Sequence, residues 1–96
     1  MRYEQIIFSG HAITRMFKRR IRQSDVVSVV KNGKIIAQYP NDEPFPSVLM
    51  LGFTEKKRPL HVVAAIDSEA STIFVITAYE PDSAIWRPDY QTRRKP

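Results

Sequence analysis

Residues 59–79, with the sequence PLHVVAAIDSEASTIFVITAY, decide the fold of this chain. Leu60–Ile66 and Thr72–Tyr79 are rich in β-branched and apolar residues, which is typical of strands in the interior of a sheet. The residues between them, DSEAS, are polar and fit a turn. Because so short a connection joins neighbouring antiparallel strands, the stretch predicts a central β-hairpin.

Further strands and two helices precede this hairpin. Apolar residues recur with helical period over residues 10–19, and Ser9 is suited to cap that helix. A second helix is expected from about residue 24 to Asn32, with Gly33 as a stop signal. The remaining predicted strands are Ile6–Phe8, Lys34–Tyr39 and Ser47–Phe53.

This order predicts an α+β fold. We expect a short N-terminal strand and two helices packed on one face of a twisted antiparallel sheet of three to four further strands. The chain of 96 residues is the length of one domain, so residues 1–96 are assigned to a single domain. Residues 87–96 are expected to form a basic C-terminal tail whose last residues fray.

The composition narrows the function. The net charge is +5 and the isoelectric point about 9.8, which suits a nucleic acid or an acidic protein as partner. There is no cysteine, so disulfides, thiolate metal sites and a cysteine nucleophile are excluded. No apolar run approaches the roughly 20 residues of a membrane span, and a cytoplasmic location is expected.

The positive charge is concentrated in two places, the first predicted helix with its following turn and the C-terminal tail. Candidate nucleic-acid-binding residues there are His11, Arg15, Lys18, Arg19, Arg22, Arg93 and Arg94. The polar helix face has three interpretations: an ordinary solvated surface, a phosphate-binding surface, or a docking site for an acidic protein segment.

His61 is the candidate for acid–base chemistry. Strand alternation places Ile73, Val75, Thr77 and Tyr79 on one face of the last strand, and in an antiparallel hairpin Tyr79 is a neighbour of His61 if register and face agree. A histidine, a tyrosine and arginines can support RNA cleavage without a metal. The alternative is a half-buried strand histidine with a backbone partner. The candidate catalytic residues are His61, Tyr79, Arg58 and Arg15.

No metal or cofactor is expected. Glu80 and Asp82 lie near the last strand, but their spacing with the two histidines matches no metal motif. The chain also lacks a glycine-rich phosphate loop and the nucleophile elbow of a serine hydrolase.

Three motifs resemble a family of short bacterial proteins of unknown function. They are His11-Ala12-x-x-Arg15-Met16-x-x-Arg19-x-Ile21 followed by Asp25-Val26, then Pro59-Leu60-His61-Val62-Val63, and Ile76-Thr77-Ala78-Tyr79-Glu80-Pro81-Asp82. The resemblance covers residues 8–94. Two positions depart from the family pattern, because Arg20 stands where a glycine is frequent and Arg22 where a hydroxyl residue is expected.

The resemblance implies a RelE-like fold, similar to the RelE, ParE, BrnT and MqsR toxins. It also implies that the protein is the toxin of a toxin–antitoxin system, binding RNA and cleaving mRNA, with a small antitoxin as partner. Two alternatives stay open: a non-catalytic module that binds RNA or protein, and a ParE-like toxin acting on a protein target. A homodimer is equally compatible with the sequence.

Overall fold

The computed structural model describes residues 1–95 and confirms the α+β class. The elements follow the order β1 (Gln5–Phe8), α1 (Gly10–Lys18), α2 (Gln23–Asn32), β2 (Lys34–Tyr39), β3 (Ser47–Phe53), β4 (Pro59–Asp67) and β5 (Thr72–Tyr79). All five strands form one sheet in the order β1-β5-β4-β3-β2. Neither helix is long and apolar enough to cross a membrane.

The sheet is mixed, although the four strands that follow the helices pair antiparallel as predicted. Strands β2, β3, β4 and β5 pair antiparallel, as their short connections require, whereas β1 pairs parallel with β5. The difference arises because α1 and α2 separate β1 from the other strands along the chain. A connection of that length imposes no hairpin, and β1 is therefore free to run parallel to the outer edge of β5.

Both helices pack on one face of the sheet, and the main core lies between the helices and the sheet. Alternate residues of β4 and β5 point into this core, and they meet buried residues of both helices. The core residues are Ala12, Met16, Val26, Val29, Val30, Val48, Met50, Leu60, Val62, Ala64, Ile73, Val75 and Ala78. The opposite side of the sheet is called the open face below.

A β-bulge in β5 changes which residues of that strand reach the open face. Val63 pairs with Thr77, but the next residue of β4, Ala64, pairs with Val75, so Ile76 is the extra residue. Ile73 and Val75 therefore face the helices, while Thr77 and Tyr79 lie on the open face. The predicted grouping of all four residues on one face was wrong, because strict alternation does not survive a bulge.

The C-terminal segment, defined as residues 82–95, is folded against the sheet, and Pro96 of the predicted fraying end lies outside the described residues. Trp86 and Arg93 pair as an antiparallel bridge, and the backbone N–H of Arg94 donates to the carbonyl of Ile85 at 2.8 Å. The segment folds back on itself and contacts the open face of the sheet through Trp86, which is only 6% exposed. Its aromatic content explains the packing, since burying one indole removes a large apolar area from water.

The end of α1 shows how the unusual Arg20 is accommodated. Ser9 caps the start of this helix as predicted, since its Oγ accepts from the Ala12 N–H at 3.0 Å. At the other end Arg20 adopts a left-handed conformation with φ of 57°. The N–H groups of Arg20 and Ile21 donate to the carbonyls of Phe17 and Met16, at 3.2 and 2.9 Å. This is the helix ending that glycine favours, and here an arginine adopts it.

Arg20→Gly is expected to stabilise the fold by about 0.5–1 kcal/mol, because it relieves the steric cost of a left-handed arginine while losing some of that gain to glycine's greater unfolded-state entropy. Urea denaturation measures the change. Arg22→Gly is the matched control, since it removes the same charge at a residue with φ of −81°. A less stable Arg20→Gly protein would contradict the interpretation.

Candidate functional site

His61 and Tyr79 lie side by side on the open face, and the predicted adjacency of these two residues is confirmed. They are direct partners in the β4–β5 register. The Nδ1 atom of His61 lies 3.3 Å from the Tyr79 hydroxyl oxygen, and the two rings meet edge to face with centroids 5.3 Å apart. His61 is 0% exposed, whereas Tyr79 is only half-buried, so the hydroxyl end of the pair is the part nearer solvent.

The C-terminal segment covers His61 from the other side. The Nε2 atom of His61 lies 2.7 Å from the main-chain carbonyl oxygen of Tyr90, and the Trp86 ring packs edge-on at 4.6 Å. A carbonyl oxygen can only accept, so Nε2 must carry the proton. In neutral His61, Nδ1 is then the acceptor for the Tyr79 O–H. Neither of the two sequence interpretations of this histidine anticipated complete burial.

Burial determines the protonation of both residues at neutral pH. Desolvation lowers the pKa of His61 below its ordinary value of 6.5, and the hydrogen bond to the Tyr90 carbonyl opposes that shift only in part. Desolvation raises the pKa of Tyr79, and nearby Tyr39 adds to the rise. At pH 7 the pair is therefore a neutral imidazole that accepts a hydrogen bond from a neutral phenol.

Two arginines act on the same Tyr79 hydroxyl. The guanidinium groups of Arg93 and Arg19 each lower the pKa of Tyr79, against the larger effect of burial. Arg19 reaches this place from the end of α1, where its Nη1 donates to the Ala78 carbonyl at 2.9 Å and to the Thr77 hydroxyl at 3.3 Å. Arg93 lies over the Trp86 ring, 5.2 Å from its centroid. Positive charge from α1 and from the C-terminal segment thus acts on Tyr79.

The ladder of β5 explains why Arg19 is held at this position. β1 pairs with β5 only as far as Val75, so the carbonyl of Ala78 has no strand beside it on that edge. Arg19 takes the place of the missing strand, since its Nη1 donates to the Ala78 carbonyl. Its other guanidinium N–H groups have no hydrogen-bond partner within residues 1–95, which leaves them free to bind an anion.

The other two residues of the predicted catalytic set are not brought to this pair. Arg58 forms an ion pair with Glu80 and lines a cleft on the helix side, together with Arg20, Arg22 and Leu60. Arg15 is exposed on α1, and its side chain makes no hydrogen bond or ion pair with any described residue. The catalytic set predicted from the sequence is therefore assembled only in its His61–Tyr79 half.

The predicted nucleic-acid-binding residues divide in the same way. Arg19 and Arg93 lower the pKa of Tyr79, whereas Arg22 is 3.9 Å from Glu55 and Arg94 donates to the Ser83 carbonyl at 2.8 Å. The remaining exposed residues of this set, all on α1, are His11, Arg15 and Lys18.

Sequence reasoning missed two residues of this site. Trp86 and Tyr90 contact His61 from the C-terminal segment. Pro88-Asp89 followed by Thr92 is a turn signal, and it could have indicated an ordered segment after Trp86. No local pattern, however, points from Tyr90 to His61. Within the described chain there is also no group of three or more histidine and carboxylate residues able to hold a metal.

Comparison with known proteins gives a family but no characterised relative. A family model described as Domain of unknown function (DUF4258) matches residues 8–80. No curated protein and no solved structure matches the chain. His61, Tyr79 and Arg19 lie inside the matched range, whereas Trp86 and the other residues that cover His61 lie beyond it.

The free energy of unfolding is expected to fall as the pH is lowered from 7.5 to 5. The pKa of His61 is lower in the folded than in the unfolded chain, so the unfolded chain binds a proton first, below about pH 6.5. The contribution of His61 to the free energy of unfolding is fully present above the pKa that it has in the unfolded chain. This contribution is lost as the pH falls through the lower pKa that His61 has in the folded chain. Urea denaturation at several pH values measures this slope.

His61→Gln should flatten the slope, while His11→Gln, a change at an exposed histidine, should leave it unchanged. An equal slope in the wild-type protein and in His61→Gln would contradict the assignment.

Proposed function

Because the chain belongs to the DUF4258 family, whose function is unknown, we propose its activity from the site itself: it binds RNA and cleaves it without a metal ion, as a toxin-like endoribonuclease. One observation carries the proposal. The Tyr79 hydroxyl is hydrogen-bonded to a buried, neutral histidine, and the positive charges of Arg19 and Arg93 act on the same residue.

The pair can take a proton from a ribose 2′-OH. As that proton moves to the Tyr79 oxygen, the phenol's own proton passes to His61 Nδ1. The 2′ oxygen then attacks the adjacent phosphorus and the bond from phosphorus to the 5′ oxygen breaks, which gives a 2′,3′-cyclic phosphate and a 5′-OH. The leaving oxygen takes a proton from water, and His61 returns its proton to solvent through Tyr79, so the step balances.

The arginines have a separate task in this proposal. The free N–H groups of Arg19 and the guanidinium of Arg93 would bind the phosphate oxygens and stabilise the charge that builds on them during attack. The Tyr90 carbonyl would stabilise the transient imidazolium of His61. In this proposal neither proton transfer nor phosphate binding needs a metal ion.

The biological setting follows the same proposal. As a toxin-like ribonuclease the protein is expected to arrest growth when it is expressed alone, to act on RNA in the cytoplasm, and to be paired with a small antitoxin encoded beside it. The neighbouring reading frame is the direct place to look for such a partner.

Tyr79→Phe is expected to lower RNA cleavage by about 10²-fold or more, because it removes the oxygen that relays the proton. The assay follows a fluorescent single-stranded RNA in the presence of EDTA. Tyr3→Phe is the matched control, since Tyr3 packs against the helix-side core. Full activity in Tyr79→Phe would contradict the proposal, and binding of RNA without cleavage by the wild-type protein would favour a binding module instead.

A second candidate function, docking of an acidic protein segment, is supported by a different surface. Phe17 is 85% exposed and Ile13 is 44% exposed, and together with Met16 and Ile21 they line a shallow apolar hollow beside α1. Apolar residues that are exposed together in one contiguous patch mark an interaction site, whereas single exposed ones are ordinary.

The positive charge around this apolar hollow favours an acidic partner. The chain has no acidic residue between Glu4 and Asp25, while Lys18 and Arg20 adjoin Phe17 and Ile21. A second copy of the chain would bring these cations together, which opposes self-association through this patch. We infer that the occupant is an amphipathic helix with an apolar stripe and an acidic rim.

A synthetic helical peptide with leucines on one face and glutamates on the other is expected to bind the wild-type protein, as measured by fluorescence anisotropy. Phe17→Ser should weaken binding at least about tenfold, because a central aromatic residue contributes most to such interfaces. Phe53→Ser, a change on another exposed aromatic, is the control. Equal binding of a lysine-rimmed peptide, preference for phosphatidylserine vesicles, or Phe17-dependent self-association would contradict the inference.

A further inference from the structure

We propose that Tyr90 is a positioning residue for His61, acting through its main-chain carbonyl rather than its side chain. The carbonyl accepts the Nε2–H of His61 and so fixes the tautomer in which Nδ1 receives the Tyr79 proton. This inference rests on the proposed function, since it assigns to Tyr90 the orientation of the group that receives the proton in that reaction.

The backbone of Tyr90 is held in a rare conformation to make this contact. Its φ is 59°, in the left-handed region that tyrosine seldom adopts. The result is a carbonyl oxygen 2.7 Å from His61 Nε2, across a separation of 29 residues in the chain. A left-handed non-glycine residue at a functional site is maintained only where its surroundings determine it.

Those surroundings are an interlocked turn. The Tyr90 N–H donates to the Arg87 carbonyl, and the Arg87 N–H donates to the Thr92 carbonyl, each at 2.8 Å. The Asp89 carboxylate accepts from the N–H groups of Gln91 and Thr92, at 2.9 and 3.0 Å, and from the Thr92 hydroxyl at 2.8 Å. The turn therefore fixes the direction of the Tyr90 carbonyl.

Two contacts hold this turn against the sheet. Lys34 Nζ, on β2, donates to Gln91 Oε1 at 2.8 Å, and the Phe53 ring meets the Tyr90 ring edge to face at 6.3 Å. Lys34, Leu51, His61 and Tyr79 pair in one cross-strand row of the open face. The turn thus lies across the row that carries the catalytic pair.

A carbonyl suits this position better than a carboxylate. Both acceptors fix the tautomer, but a carboxylate would favour the charged imidazolium and leave Nδ1 protonated and unable to accept from Tyr79. The neutral carbonyl orients the ring while burial keeps it uncharged. Tyr79, His61 and the Tyr90 carbonyl thus resemble other active sites in which a third group orients the general base.

Two substitutions at Tyr90 separate the backbone from the side chain. Tyr90→Gly favours the left-handed conformation and keeps the carbonyl, whereas Tyr90→Pro fixes φ near −65° and moves it. Tyr90→Val keeps the N–H but strongly disfavours the left-handed region, and it serves where the proline variant does not fold. Nitrogen-15 NMR of the His61 ring reports the tautomer, and RNA cleavage is measured alongside.

In the wild-type protein and in Tyr90→Gly, which keeps the carbonyl, we expect a protonated Nε2 and an unprotonated Nδ1 of His61. In Tyr90→Pro or Tyr90→Val we expect a mixture of tautomers and at least about tenfold slower cleavage. Trp86 fluorescence identifies variants whose C-terminal segment is still packed. Tautomer and rate unchanged in Tyr90→Val would overturn the inference, as would a protonated Nδ1 in the wild-type protein.

The two proposals fail in different ways. If the wild-type protein cleaves no RNA, the proposed function is wrong, yet the ring tautomer still shows whether the Tyr90 carbonyl positions His61. If the protein cleaves RNA but Tyr90→Val behaves as wild type, only the role of Tyr90 is overturned.

Discussion

The bulge at Ile76 is the constraint on which the candidate site depends. If Ile76 took part in regular alternation, Tyr79 would share a face with Ile73 and Val75, which are buried against the helices. The bulge takes Ile76 out of the alternation, so Thr77 and Tyr79 lie on the open face and Tyr79 meets His61. The bulge thus keeps the phenol away from the core side of the sheet.

The C-terminal segment converts this pair into an organised site. In the sheet alone His61 would lie on an unprotected face, free to exchange between tautomers and to take up a proton from water. Trp86 and the Tyr90 carbonyl remove it from solvent and fix its hydrogen bonds. Burial makes His61 a poor direct partner for a substrate, so Tyr79 has to be the group that contacts one.

Local pattern predicted the elements of the fold well, because each depends on neighbours in sequence. The cap at Ser9, the end of α1 near Arg19 and the hairpin of β4 and β5 all follow from nearby residues. The parallel pairing of β1 and the bulge do not, since both depend on how distant elements meet. The site divides in the same manner: hairpin register brings His61 to Tyr79, whereas Arg19 and Tyr90 arrive through contacts 59 and 29 residues apart.

The central claim is that RNA binds at the exposed end of the Tyr79–His61 pair rather than along the outer surface of α1. NMR chemical-shift mapping with a single-stranded RNA that is methylated at every ribose 2′ oxygen tests it directly, because such an RNA binds but cannot be cleaved. The account predicts the largest shifts at Arg19, Tyr79 and Arg93. Shifts confined to His11, Arg15 and Lys18, with Tyr79 unmoved, would contradict it.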